Sequence, residues 1–171
     1  MPREFNPTEI LETLARHRVR FVVIGNFAGL LAGADVSTQD VDITPATDPD
    51  NLDRLAAALA ELDAGIRVDG EAPVPLPPPD GRLLATAEIW NLSTRYGDLD
   101  ITTMPSGTSG YDDLRRGARS STLGGGLRIS VASLEDVIRS KTAAGRAKDQ
   151  LALPVLQRAL ERERNDLDLD L

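Results

Sequence analysis

Apolar and polar positions follow two different periods along this chain, and each change of period marks an element. Ile10, Leu11 and Leu14 recur at helical spacing behind Asn6-Pro7, which predicts a helix over 7–17 with Pro7 in its first turn. A short apolar run, 20–24, predicts a buried strand; a segment rich in Gly, Ala and Leu, 26–33, predicts a short helix. Over 39–44 the pattern turns to strict alternation, with Asp40 and Asp42 on one face of a strand and Val41 and Ile43 on the other. Asp48-Pro49 opens a helix to 62 whose stripe is Leu52, Leu55, Leu59 and Leu62.

Beyond a short strand expected at 66–68, the stretch 70–81 reads GEAPVPLPPPDG and holds five of the eleven prolines, so it predicts a stiff extended connection. Residues 82–87 fit a helix or a strand equally. Strands are expected at 90–96 and 99–103, joined by a hairpin-like turn at Gly97-Asp98. A loop over 104–110 precedes a helix at 111–117. Two further strands, 120–123 and 127–131, flank the three glycines 124–126, which read as a hairpin rather than a phosphate loop because no helix follows them. Ser133 with Glu135-Asp136 starts a helix to about 144. A last helix, 147–164, contains Pro154, expected to kink or divide it, and the acidic tail 165–171 is expected to fray. The order predicts an α+β fold: a mixed sheet flanked by helices, in one domain over 1–164 whose helical C-terminal part is 133–164.

Composition changes this picture in three places. No run approaches the roughly 20 apolar residues of a membrane span, and there is no cysteine, which excludes disulfides and thiolate chemistry. A soluble, cytoplasmic protein with no membrane partner is the expectation. The net charge of −8 disfavours a general nucleic-acid surface. Yet 115–148 holds eight basic residues against Glu135 and Asp136, including the only two lysines, Lys141 and Lys148; this segment carries +6 and the rest −14.

Two carboxylates side by side on one strand repel unless a cation lies between them, and a matching pair, Asp98 and Asp100, follows later. Oxygen ligands without a nearby histidine favour Mg²⁺ or Mn²⁺, and magnesium shares its shell with substrate phosphates, which points to a nucleoside triphosphate. The Gly25-Asn26 turn, at a strand end and a helix start, would let a phosphate approach backbone N–H groups.

The order of strand, Gly turn, small-residue helix, the TQDVD motif and a later strand carrying GDLDI resembles the nucleotidyltransferase superfamily, the polymerase-beta-like fold. The segment ISVASLEDVIRSKTAAGRAKDQLALPVL is similar to a helix pair of the small bacterial AbiEii toxin group of abortive-infection and toxin–antitoxin systems. The resemblance implies Asp40 and Asp42 as catalytic metal ligands, with Asp100 as third carboxylate, helping to deprotonate the acceptor, and Asp98 as the alternative. It implies that Gly25, Asn26, Thr38, Lys141, Arg146, Lys148 and Asp149 serve the nucleotide. The implied activity is in-line transfer of a nucleoside monophosphate from an NTP to a hydroxyl on tRNA, a protein or a small molecule, with an antitoxin as a candidate partner. Two positions depart from the family pattern: Asn26 replaces a second Gly or Ser, and Val36 stands where many relatives carry arginine. These departures motivate an alternative, a non-catalytic nucleotide-binding module on the same fold.

Overall fold

The computed structural model describes residues 3–77 and 80–170; Pro78 and Pro79, within the proline-rich connection, lie outside them. Among the described residues eight strands form one sheet: β1 (Phe21–Ile24), β2 (Asp40–Pro45), β3 (Gly65–Ile66), β4 (Val74–Pro75), β5 (Ile89–Thr94), β6 (Gly97–Thr102), β7 (Arg119–Thr122) and β8 (Arg128–Val131). Their order in space is β4-β3-β5-β6-β2-β1-β8-β7. The β2–β6 and β1–β8 pairs are parallel and the other pairs antiparallel, so the sheet is mixed.

Among the described residues seven α-helices accompany it: α1 (Pro7–Arg16), α2 (Gly25–Leu31), α3 (Pro49–Glu61), α4 (Gly81–Leu84), α5 (Tyr111–Gly117), α6 (Leu134–Ala144) and α7 (Ala147–Leu169). Asn6, Asp48, Asp80 and Ser133 each cap a helix by accepting an N–H three residues on, which satisfies a donor the helix cannot pair internally. Val41, Ile43, Leu92, Leu99 and Ile101 share one face of the sheet and are buried with Leu14 of α1 and Leu55 and Leu59 of α3. That face anchors the strands, and α2, packed on β1, β2 and α6, forms one side of the opposite face.

Four expectations change. The β5–β6 turn is Arg95-Tyr96, and Gly97 and Asp98 already pair as strand, opposite Thr94 and Ser93. The shift follows from burial, because this register sets Leu99 opposite Leu92 on the apolar face. The ambiguous 82–87 becomes the single turn of α4. The proline-rich segment contributes β4, two residues long and at the sheet edge, where a proline without an N–H is tolerated. Finally, Pro154 does not divide α7, which also continues through the acidic tail to Leu169. Pro154 and Gln150 are both exposed, so the bond the proline removes lies on the side where water replaces it. Arg162, bonded to the Gly33 carbonyl, and Glu163, paired with Arg119, tie the last turns before the tail to the body.

Candidate active site

Strand register builds the site. β2 and β6 run parallel with Asp40 opposite Asp98 and Asp42 opposite Asp100, so all four carboxylates emerge on one face. Pairing with β5 places Asn91 opposite Asp100, and the Arg67 N–H donates to the Asn91 carbonyl at 2.9 Å. A row therefore crosses five strands and their continuations: Arg67, Asn91, Asp100, Asp42 and Ile24. These residues line a cleft of about 690 Å³.

Within the cleft one carboxylate oxygen each from Asp40, Asp42 and Asp100 lie within 4.8 Å of one another. Asp98 is outside this trio; it accepts the Ser93 hydroxyl at 2.9 Å and pairs with Arg67 at 3.2 Å. Burial pushes the Asp42 carboxyl up to about 7, and the charges of Asp40 and Asp100 add to it against the pull of Lys141 and Lys148. Burial also raises Asp100, to about 6; Arg67 opposes that rise and Asp40 promotes it. The trio thus carries charge that this environment disfavours, and its donors are all hard oxygens. A divalent cation of the Mg²⁺ or Mn²⁺ type fits both properties.

Gly25 is required by what faces it. Its φ of +69° lies in the left-handed region, and a Cβ there would come within 2.4 Å of Asp42 Oδ2. Asn26, next along, lines the cleft, and its carboxamide oxygen is buried without a hydrogen-bond partner. The Thr38 hydroxyl donates to Asp40 Oδ1 at 2.8 Å and bonds the Asp40 backbone, fixing the first carboxylate just before β2 begins.

The opposite wall is basic. Lys141, Arg146 and Lys148 line the cleft from α6 and the start of α7. Asp149 is fully buried and is not among the lining residues; it accepts from the Arg146 backbone N–H at 3.2 Å and from Arg146 Nε at 2.7 Å, and pairs with Lys141 at 3.4 Å. Burial works to raise its pKa, but the Arg146 bonds and the charges of Lys141 and Arg146 prevail and hold it below the usual carboxylate range. Asp149 is thus placed to tether cations rather than to face a nucleotide. Lys148 is exposed and makes no ion pair among the described residues.

Sequence reasoning missed Arg67. Its pairing partner, β5, follows more than twenty residues later across the proline-rich connection, and no local pattern announces that contact. Position 36 is a half-buried valine, and the arginine beside the carboxylates comes from the other flank of the sheet. Asp136 and Ser140 of α6, also missed, line the cleft beside Lys141.

No family model matches the sequence, and no curated protein matches it. Solved structures do. One is described as a nucleotidyltransferase from Thermotoga maritima, 20% identical, with 86% of this chain and 88% of that one covered and a TM-score of 0.54. Another is the lincosamide antibiotic adenylyltransferase LnuA in its lincomycin-bound form, 16% identical, with 88% and 94% covered and a TM-score of 0.58. The likeness extends to the architecture as a whole and not to the AbiEii-type group in particular. The α+β mixed sheet of this chain is the nucleotidyltransferase fold.

Proposed function

We propose that this protein transfers a nucleoside monophosphate from an NTP to a hydroxyl-bearing acceptor. The observation that carries the reading is the trio Asp40, Asp42 and Asp100 facing a basic wall across one cleft. Asp40, Asp42 and Asp100 would hold Mg²⁺ or Mn²⁺, which when bound supplies the charge that stabilises the attacking and leaving oxygens of an in-line displacement. Lys148, and Lys141 and Arg146 beside it, receive the phosphates as positioned cations. The Gly25 backbone leaves room for Asp42 to stand in the cleft, and Thr38 keeps Asp40 oriented. Asp100 is the carboxylate farthest from the basic wall along the sheet and takes the proton of the attacking hydroxyl. The new bond joins the acceptor oxygen to the α-phosphorus, and the bond to pyrophosphate breaks.

An acceptor arriving on the Asp100 side meets Ile89, Thr102, Met104 and Pro105, with Ile89 58% and Met104 50% exposed. That lining supports a small hydroxylated molecule with apolar surface over a nucleic-acid strand, whose phosphates would find their cations on the other wall. A toxin role with an antitoxin partner is one setting for the same reaction, and growth on expression of wild type against Asp42→Ala tests it. The reaction itself is tested with Mg²⁺, each of four labelled NTPs and a panel of hydroxylated small molecules, tRNA and proteins. Acceptor labelling with pyrophosphate release, lost in Asp42→Ala, supports it; neither nucleotide binding nor release with any NTP sinks it. The buried, unpartnered Asn26 carboxamide oxygen, in the turn that lines the cleft, motivates one second reading, a nucleotide-binding module without turnover. Binding without pyrophosphate release would select that reading.

A further inference from the structure

The third carboxylate does not stand alone. Arg67 Nη2 donates to Asp100 Oδ1 at 2.8 Å, while its Nη1 lies 3.2 Å from Asp98 Oδ2 and donates to the Leu92 carbonyl at 3.4 Å. Asp98 uses its other oxygen to accept the Ser93 hydroxyl at 2.9 Å. A continuous chain of polar contacts thus runs from Ser93 through Asp98 and Arg67 to Asp100. Asp98 and Asp100 are two residues apart on one strand and share a face, so their carboxylates are spaced for a planar guanidinium fork to bridge; a single ammonium has no second arm for this. The Arg67 side chain is 26% exposed and its backbone is fixed by its bond to Asn91, so the fork has little freedom to leave.

We propose that Arg67, anchored by Asp98, is a positioning residue that holds one oxygen of Asp100, leaves the other to the cluster with Asp40 and Asp42, and sets by its own charge how tightly that cluster takes a divalent cation. The proposal rests on the reading of the trio as a cation site. It gives Asp98 a role distinct from that of a ligand, and it supplies, from the residue just after β3, the cation that position 36 lacks.

Two effects of opposite sign follow, and they separate positioning from mere stability. Arg67→Met removes a cation from the edge of the site, so Mn²⁺ binds the nucleotide-free protein about threefold to tenfold more tightly at mildly alkaline pH. The same variant frees Asp100 to rotate, and kcat falls about tenfold to a hundredfold, while the NTP KM moves less than about twofold because the phosphate-binding cations lie on the other wall. Asp98→Asn removes the anchoring charge and keeps the arginine; Mn²⁺ binds about twofold to fivefold more weakly and kcat also falls. Arg67→Lys keeps the charge without the fork, so Mn²⁺ affinity stays near wild type and kcat recovers only in part.

The experiment is Mn²⁺ titration of the nucleotide-free full chain by the electron paramagnetic resonance of free Mn²⁺, alongside steady-state kinetics and thermal melting of each variant. Opposite shifts in Mn²⁺ affinity for Arg67→Met and Asp98→Asn, with reduced kcat in both, support the proposal. Unchanged or weakened Mn²⁺ binding in Arg67→Met, or unchanged kcat, overturns it. Should Arg67→Met fail to fold, weakened Mn²⁺ binding in Asp98→Asn together with near-wild-type binding and reduced kcat in Arg67→Lys supports the proposal, and unchanged binding in Asp98→Asn or wild-type kcat in Arg67→Lys overturns it. A wild-type protein that takes up no Mn²⁺ removes the cation-site reading and this proposal with it. A wild type that binds Mn²⁺ indistinguishably from all three variants removes this proposal alone.

Discussion

The two walls of the cleft carry opposite charge and are built in opposite ways. The acidic wall is set by sheet register: alternation along β2 and β6 puts Asp40, Asp42 and Asp100 together, and their Cα positions cannot move without unpairing strands whose other face is the core. The basic wall is set by a tether: one buried carboxylate, Asp149, holds Lys141 and Arg146 where α6 meets α7, and leaves Lys148 unpaired among the described residues. Like charges crowded on a rigid frame are costly in the empty protein, whereas the cations across from them are already neutralised in part. The acidic wall is therefore expected to trade stability for chemistry, and the basic wall to trade little of either except at Asp149.

The largest effect should come from breaking the acidic wall at its most buried member. Asp42→Asn is expected to lower the transfer rate about a thousandfold, in the range seen when a group that stabilises transition-state charge is lost. It should also make the protein more stable in EDTA. The sign follows from the raised pKa: the folded protein binds a proton on Asp42 more tightly than the unfolded chain, so this group's contribution to stability is greatest in acid and declines as pH rises from about 4 to about 7. The decline is about 1.4 kcal/mol per pH unit for one such group and is complete above about pH 7. Asp40 on β2 and Asp100 on β6 push this carboxylate up and Lys141 and Lys148 pull it down, while Arg67, just after β3, pairs with Asp100, so the slope belongs to the cluster. Urea unfolding across pH should show it in wild type, a flatter profile in Asp42→Asn, and partial removal by a divalent cation. A steeper profile in the variant would break the contrast between the walls.

Asp149→Asn tests the tether. Removing the negative charge leaves Lys141, whose side chain is only 12% exposed, without its partner, and destabilisation of about 3 kcal/mol is expected from chemical denaturation. Sign again separates the walls, since loss of an acid stabilises one and weakens the other. Lys148→Ala is smaller still. With no ion pair among the described residues to lose, it should leave the melting temperature within a degree or two while raising the NTP KM about tenfold, the equivalent of about 1.4 kcal/mol of phosphate binding.

The same contrast explains what could be read from sequence. Alternation at Asp40–Ile43 and again at Asp98–Ile101 announces two strands with acids on one face, and the core on the other face enforces the register that joins them. Gly25 was legible as a turn, but the reason for it, an Asp42 oxygen where a Cβ would go, belongs to the fold. Glycine's preference for turns points to Gly97-Asp98, two residues late, while burial of Leu99 decides the register. Arg67 is illegible because it follows a two-residue strand, which has no period of its own. Asp149 could be counted with the basic block; only its complete burial separates a tether from a residue that faces the cleft.

The mildest break tests whether the acidic wall's rigidity matters within it. The Thr38 hydroxyl has one proton to share between the Asp40 carboxylate, at 2.8 Å, and the Asp40 carbonyl, at 2.9 Å, while it accepts from the Asp40 N–H at 3.3 Å. Thr38→Val keeps the shape and removes all three bonds. Asp40 then stays on its strand, held by the pairing of β2 with β6, and loses only its rotamer restraint. A net hydrogen bond of about 1 kcal/mol corresponds to about a fivefold loss of kcat, with Thr38→Ser close to wild type because it restores the hydroxyl. If register alone positions the carboxylates, Thr38→Val will match wild type in kcat and in Mn²⁺ affinity. A fivefold loss rescued by serine would instead mean that the strand sets where Asp40 stands and the threonine sets where it points.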